Sequence, residues 1–273
     1  MDKYKAVAVL DSGVGGLTVA KEIIRQLPFE HIVYFGDTAH MPYGPRPAGQ
    51  VRSFVYRIMD FLLTQQIKII IVACNAATAA GLEYYRERVT LPLLGVIEPG
   101  VRAALGQTRN RKVGVIGTSG TIESGAYQRV FQRLAPDVAL FSRACPLFVL
   151  VVENELVHNP EVYRVAEEYL QPLKKAGVDT LILGCTHYPL LAEVIGAVMG
   201  PEVKLISSAE ETAQEARRIL EEKELLQPRE ISPVHRFYVS GPARNFSQMA
   251  VKLLEKEVRA FQVVLDEETP LLV

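Results

Sequence analysis

Apolar positions along this chain follow two alternating periods. The run Ala6-Val7-Ala8-Val9-Leu10 is continuous, has the length of a buried strand and ends at Asp11. Residues 16–27 then carry Leu17, Ala20, Ile23, Ile24 and Leu27 at helical spacing, with Pro28 as the stop. Residues 31–35 read as a second strand leading to Asp37, residues 51–65 as a helix, residues 69–73 as a strand running into Cys74, and residues 91–97 as a further strand. Short β-branched runs alternating with amphipathic helical stretches predict a mainly parallel sheet covered by helices.

The second half restarts the pattern. Lys112-Val113-Gly114-Val115-Ile116-Gly117 reads as a strand, followed by the loop Thr118-Ser119-Gly120-Thr121. Asp11 pairs with Thr118, Asp37 with Cys145, and Cys74 with Cys185, each pair about 110 residues apart. Three landmarks in order at one offset predict two related α/β halves, each with a mainly parallel sheet. Residues 1–97 with 208–273 are expected to form the first domain, the C-terminal segment returning to it, and residues 98–207 the second, the boundary lying near Glu98-Pro99-Gly100. Within the returning segment, residues 236–240 read as a strand and residues 245–261 as a final helix carrying Leu253, Leu254, Val258 and Phe261.

Composition narrows the classes. A length of 273 residues with 49% hydrophobic and 22% charged positions is ordinary for a globular chain. A net charge of −1 makes no electrostatic case for nucleic acid or an anionic membrane as partner, and no apolar run is long enough to span a bilayer. Nothing at the start has the form of a cleavage signal, so a cytoplasmic location is expected. The three cysteines are widely spaced, which favours free thiols over a disulfide framework.

Two of those thiols carry the candidate chemistry. Cys74-Asn75 and Cys185-Thr186-His187 each end a buried strand where a helix should begin, the usual place for ligand chemistry in an α/β sheet. A single such cysteine is usually a small core residue. Two at matched places point to a pair of groups on opposite sides of one substrate, able to move a proton from one face of a carbon to the other. A helix N-terminus would lower a thiol's pKa, and His187 could exchange a proton with Cys185. Asp11 is a candidate partner for Cys74, or else an ordinary turn acid.

The loop Asp11-Ser12-Gly13-Val14-Gly15-Gly16 fits a small anion such as a carboxylate. A dinucleotide fingerprint would need glycine where Thr18 stands, which disfavours a nicotinamide oxidoreductase. Tyr43 and Gly44 offer a hydroxyl and a bare amide, although a half-buried Tyr43 with a solvated hydroxyl reads equally well. His40 reads as a solvated loop residue, Cys145 as structural, and Glu153 as a solvated helix-end acid or a charge placed in a pocket. Zinc through Cys74, Cys145, Cys185 and His187, like thiol–disulfide chemistry, would want a Cys-x-x-Cys pair that the chain lacks.

Taken in order, Asp11-Ser12-Gly13-Val14-Gly15-Gly16-Leu17, Gly36-Asp37-Thr38, Pro42-Tyr43-Gly44, Cys74-Asn75 and Gly184-Cys185-Thr186-His187-Tyr188-Pro189-Leu190 resemble the motifs of the bacterial glutamate racemases, over nearly the whole chain. The resemblance implies a cofactor-independent, metal-free racemase of two pseudo-symmetric α/β domains, with the active site in the cleft between them, that interconverts L- and D-glutamate and supplies D-glutamate for peptidoglycan. It implies Cys74 and Cys185 as the acid/base thiols, Asp11 and His187 as their assistants and Glu153 as a further pocket carboxylate. By the same resemblance Asp11, Ser12, Tyr43, Gly44, Asn75, Ala76, Thr118, Thr121, Thr186 and His187 fall at or beside substrate-contacting positions, and a homodimer is among the assemblies implied. Two departures stand out: Ala76 where the family usually has threonine, and Leu150 where it usually has proline. The rival readings are an aspartate or broad-specificity racemase of the same superfamily, and an amino-acid-binding protein on this scaffold without activity.

Overall fold

The computed structural model describes residues 2–229 and 232–265. In the first sheet, β1 (Ala6–Asp11), β2 (Ile32–Gly36), β3 (Ile67–Val72) and β4 (Leu93–Gly95) alternate with α1 (Leu17–Gln26), α2 (Ala48–Leu63) and α3 (Asn75–Arg88). Helix α4 (Ile97–Gln107) leads to the second sheet, where β5 (Lys112–Gly117), β6 (Ala139–Ala144), β7 (Thr180–Gly184) and β8 (Lys204–Ile206) alternate with α5 (Ser119–Glu123), α6 (Ala126–Leu134), α7 (Leu147–Glu153), α8 (Glu161–Ala176) and α9 (Ala192–Met199). Helix α10 (Ser208–Glu222) precedes β9 (His235–Val239), α11 (Ala243–Leu254) and β10 (Ala260–Gln262).

The strands run in the order β10-β9-β2-β1-β3-β4 in one sheet and β6-β5-β7-β8 in the other, and every pairing is parallel. The orders β2-β1-β3-β4 and β6-β5-β7-β8 are the same pattern, so the repeat in the sequence is a repeat in topology. Continuous apolar strands follow from cover on both faces. Val7, Val9, Ile69 and Ile71 face α1, α10 and α11, while Ala8, Leu10, Ile70 and Val72 face α2 and α3. In the second sheet Ile116, Leu181 and Leu183 pack under α7, α8 and α9, and Val113, Val115 and Ile182 under α4 and α6. Helix α10 packs on both α1 and α4 and so ties the two halves at the back.

Element ends differ from the sequence pattern in places. The final helix stops at Leu254 rather than reaching Phe261, because Glu255 adopts a left-handed backbone (φ 55°) that closes it. Val258 is buried beyond that cap, and Phe261 lies on the edge strand β10 beside β9. The expected strand over residues 91–97 shortens to β4, because Ile97 already opens α4, and Glu98-Pro99-Gly100 forms that helix's first turn, where proline is tolerated. Among the described residues, no helix is long and apolar enough to cross a membrane.

Candidate active site

The carboxyl ends of the two sheets face one another, and each sheet sends three loops into the gap. Strands β1, β2 and β3 deliver Asp11-Ser12, Tyr43-Gly44 and Cys74-Asn75. Strands β5, β6 and β7 deliver Thr118 with Thr121, α7 with Glu153, and Cys185-Thr186-His187. Ser12, Tyr43, Gly44, Cys74, Asn75, Ala76, Thr118, Thr121, Cys185, Thr186 and His187 line one small cavity, together with Pro42 and Gly184 of the same motifs and with Val149, which sequence reasoning did not single out. Its free volume of about 20 Å³ is room for about one water, less than an amino acid occupies.

Close approach of the halves depends on residues without side chains. A Cβ on Gly15 would collide with Thr186 Oγ1 and lie 2.9 Å from His187 Nδ1. A Cβ on Gly44 would strike Thr118, and Gly120 N–H donates to the Gly44 carbonyl at 2.9 Å. The glycine loop does cradle an anion, but the anion is the chain's own Asp11. Its carboxylate accepts from Gly13 N–H at 2.9 Å and, across the gap, from the Thr186 hydroxyl at 3.4 Å. The Gly13 amide is therefore engaged rather than open to a ligand. Burial raises the Asp11 pKa, against the charge of His187 and these donors.

Cys74 caps α3, and its sulfur accepts from Ala77 N–H at 3.4 Å while the thiol donates to Ser12 Oγ at 3.6 Å. The helix start was expected to lower its pKa. Burial, reinforced by the charge of Asp11, instead pushes it up to about 12, because the low-dielectric pocket opposes the thiolate more strongly than one amide and one hydroxyl favour it. Cys74 is therefore a thiol at rest.

Cys185 is followed by a 3₁₀ turn (Tyr188–Leu191) rather than an α-helix. Its sulfur lies 3.7 Å from His187 Nδ1, and His187 Nε2 is hydrogen-bonded to Glu153 Oε1. Burial by itself would lower the His187 pKa, but the hydrogen bonds and charges of Cys185 and Glu153 outweigh it and raise the imidazole to about 10. The two thiols thus sit in unlike surroundings: one beside a hydroxyl and a buried carboxylate, the other beside an imidazole that holds its proton.

Asp11 and Glu153 touch the cavity through other residues, Asp11 through Thr186 and Glu153 through His187. Glu153, at the end of α7, is therefore a half-buried partner of His187 rather than a fully solvated acid. The Tyr43 ring is buried and its hydroxyl donates to Asp37 Oδ2 at 2.5 Å, so the solvated alternative fails. Asp37 also accepts from Ser240 Oγ at 2.6 Å. His40 bonds the same carboxylate at 2.8 Å and stacks on Phe54 with centroids 4.2 Å apart, while about a third of its side chain stays exposed. Ala76 presents only a methyl, and the nearby Thr78 hydroxyl donates to the Val72 carbonyl at 3.0 Å and cannot substitute. Leu150 is 51% exposed on the outer face of α7, away from the cavity that Val149 lines. Cys145 is buried in the second core, with its carbonyl accepting from Tyr188 at 2.8 Å. Among the described residues, no three His, Cys, Asp or Glu side chains gather into a metal-binding group.

Comparison with known proteins adds three findings. A family model for Asp/Glu/Hydantoin racemases matches residues 9–216. A glutamate racemase of Exiguobacterium sibiricum is 47% identical over 264 residues, covering 97% of both chains. Among solved structures, glutamate racemase isoform RacE1 from Bacillus anthracis superposes with a TM-score of 0.93 at 46% identity, covering 96% of this chain and 98% of that one. The Francisella tularensis glutamate racemase, solved in complex with D-glutamate, superposes with a TM-score of 0.90 at 34% identity, covering 97% and 99%.

Proposed function

The chain belongs to the Asp/Glu/Hydantoin racemase family and is an amino-acid racemase, and from that premise we propose that it interconverts L- and D-glutamate through Cys74 and Cys185. The observation that carries this reading is the gathering of both thiols, one from each half, onto one small cavity with a carboxylate–imidazole pair behind the second. In the cell the product would be D-glutamate for peptidoglycan synthesis, made in the cytoplasm.

The chemistry follows from the surroundings. The α-hydrogen of an amino acid is a very weak acid, because its loss puts a carbanion beside a carboxylate. A thiolate at Cys185 is stabilised by the His187 imidazolium and removes the proton from one face. The Cys74 thiol then delivers its proton to the other face. The reverse reaction begins with Cys74 as thiolate, which the α3 amide and the Ser12 hydroxyl stabilise in part against burial, and Cys185 as thiol. Each turnover moves one proton onto one sulfur and one off the other, so the protein's proton count is unchanged. Ser12, Asn75 and Thr186 supply donors for the α-carboxylate as it gains enolate character, and exclusion of water by domain closure strengthens each of them.

The test is solvent exchange. In deuterium oxide, each glutamate enantiomer is expected to be converted with one deuteron at Cα of the product, and aspartate is expected to turn over far more slowly. Racemisation without solvent deuterium, or no racemisation of glutamate, refutes the reading.

A further inference from the structure

On the function proposed above, the substrate's α-carboxylate meets the amide of Asn75, and we infer that Tyr127 is the positioning residue that orients this amide across the cleft. Asn75 opens α3 in the first half, and Tyr127 stands on α6 in the second. The Tyr127 hydroxyl donates to Asn75 Oδ1 at 2.8 Å, and both residues are only 3% exposed. The other amide atom, Nδ2, is buried with no hydrogen-bond partner in the protein, and Asn75 lines the cavity. A buried side chain whose oxygen is held while its nitrogen has no acceptor is a donor prepared for a ligand. A carboxylate is the acceptor this substrate brings.

Tyr127 is itself firmly placed. Its ring belongs to the core under α4 and α6, and a Cβ on Gly184 would lie only 3.2 Å from Cε2 and from the hydroxyl oxygen. Tyr127 therefore spans the two thiol segments, with its hydroxyl on the residue after Cys74 and its ring edge against the residue before Cys185. The hydrogen bond to Asn75 crosses from one half to the other, so parting the halves breaks it. The amide is aimed at the substrate only in the closed arrangement, which couples carboxylate recognition to closure. Without the hydroxyl, turning Nδ2 toward the substrate leaves Oδ1 buried and unpaired, and that orientation is disfavoured.

The experiment is a double-mutant cycle of wild type, Tyr127→Phe, Asn75→Ala and the double variant, with kcat and KM measured in both directions and thermal unfolding recorded for each. Tyr127→Phe is expected to raise KM about tenfold with kcat within about threefold, and to change nothing further in the Asn75→Ala background. Asn75→Asp keeps an acceptor for Tyr127 but puts an oxygen where Nδ2 stood, so it must raise KM at least as much. Three results overturn the assignment: a kcat/KM for Tyr127→Phe within twofold of wild type, the same factor of loss in both backgrounds, or an unchanged KM in Asn75→Asp. Wild-type racemisation tests the underlying function separately. If the wild-type enzyme racemises glutamate and Tyr127→Phe is indifferent, only the positioning role falls.

Discussion

Replacing Glu153 by glutamine removes the negative charge behind His187 and leaves an oxygen that can still accept from Nε2–H. In the native protein the imidazole is held at about 10, against burial that by itself would lower it, because Cys185 and Glu153 both favour the cation. Losing an opposite charge at hydrogen-bond distance lowers a pKa by about 1–3 units, which brings His187 to about 7–9. At pH 8.5 the imidazolium fraction then falls from about 97% to between about 3% and 76%. The alkaline limb of kcat/KM is expected to move down by the same 1–3 units, while at pH 7 the variant stays within about threefold of wild type. The assay is interconversion of the glutamate enantiomers followed by circular dichroism from pH 6 to 10.5. Stability carries the same signature. Because the folded pKa lies above the unfolded value, the bound proton stabilises the native state fully below about pH 6.5, and the gain is lost as the pH climbs to about 10. The variant loses a smaller gain over a narrower window, so its melting temperature should depend less on pH there. An alkaline limb that stays in place, with the pH dependence of melting unchanged, refutes the reasoning.

Cys74→Ser and Cys185→Ser are each expected to lower racemisation by about 10²–10⁴, with the fold and glutamate binding by calorimetry retained; normal turnover in either variant rules out the two-thiol scheme. Gly15→Ala puts a methyl against Thr186 and His187, so kcat/KM should fall at least about 100-fold while unfolding free energy changes by less than about 3 kcal/mol; near-normal activity would mean that the halves need not close so tightly. Lys68 and Glu30 form a buried ion pair at 2.5 Å, and Lys68 also donates to the carbonyls of Lys3 and Leu225. Lys68→Met should therefore cost about 3–5 kcal/mol in chemical denaturation, partly restored in the Lys68→Met/Glu30→Leu double variant, with kcat of the folded enzyme unchanged.

Much of this protein is legible along the chain. Alternating periods identify the parallel α/β class, because strands covered on both faces must be apolar throughout, as residues 6–10 and 69–72 are. The spacing of Asp11, Asp37 and Cys74 against Thr118, Cys145 and Cys185 discloses the repeat, because equivalent strand ends carry equivalent loops. The two thiols stand out for the same reason. Other features have no local signature. The fate of the glycine-loop amides depends on where Asp11 points, and the high pKa of Cys74 depends on burial that a helix start does not reveal. His187 meets Glu153 only because β6 and β7 flank β5 in one sheet, and Tyr127 meets Asn75 only because the second sheet faces the first; nothing in the residues around Tyr127 marks its hydroxyl. Likewise the end of α11 turns on the backbone of Glu255 and on β10 lying beside β9. Local hydrophobic pattern determines which elements form and which residues end them, because that choice is made by neighbours in sequence. Hydrogen-bond partners and burial in the site are decided largely by groups 34 to 175 residues apart in the chain, so they exist only once each sheet has formed and the two sheets face each other.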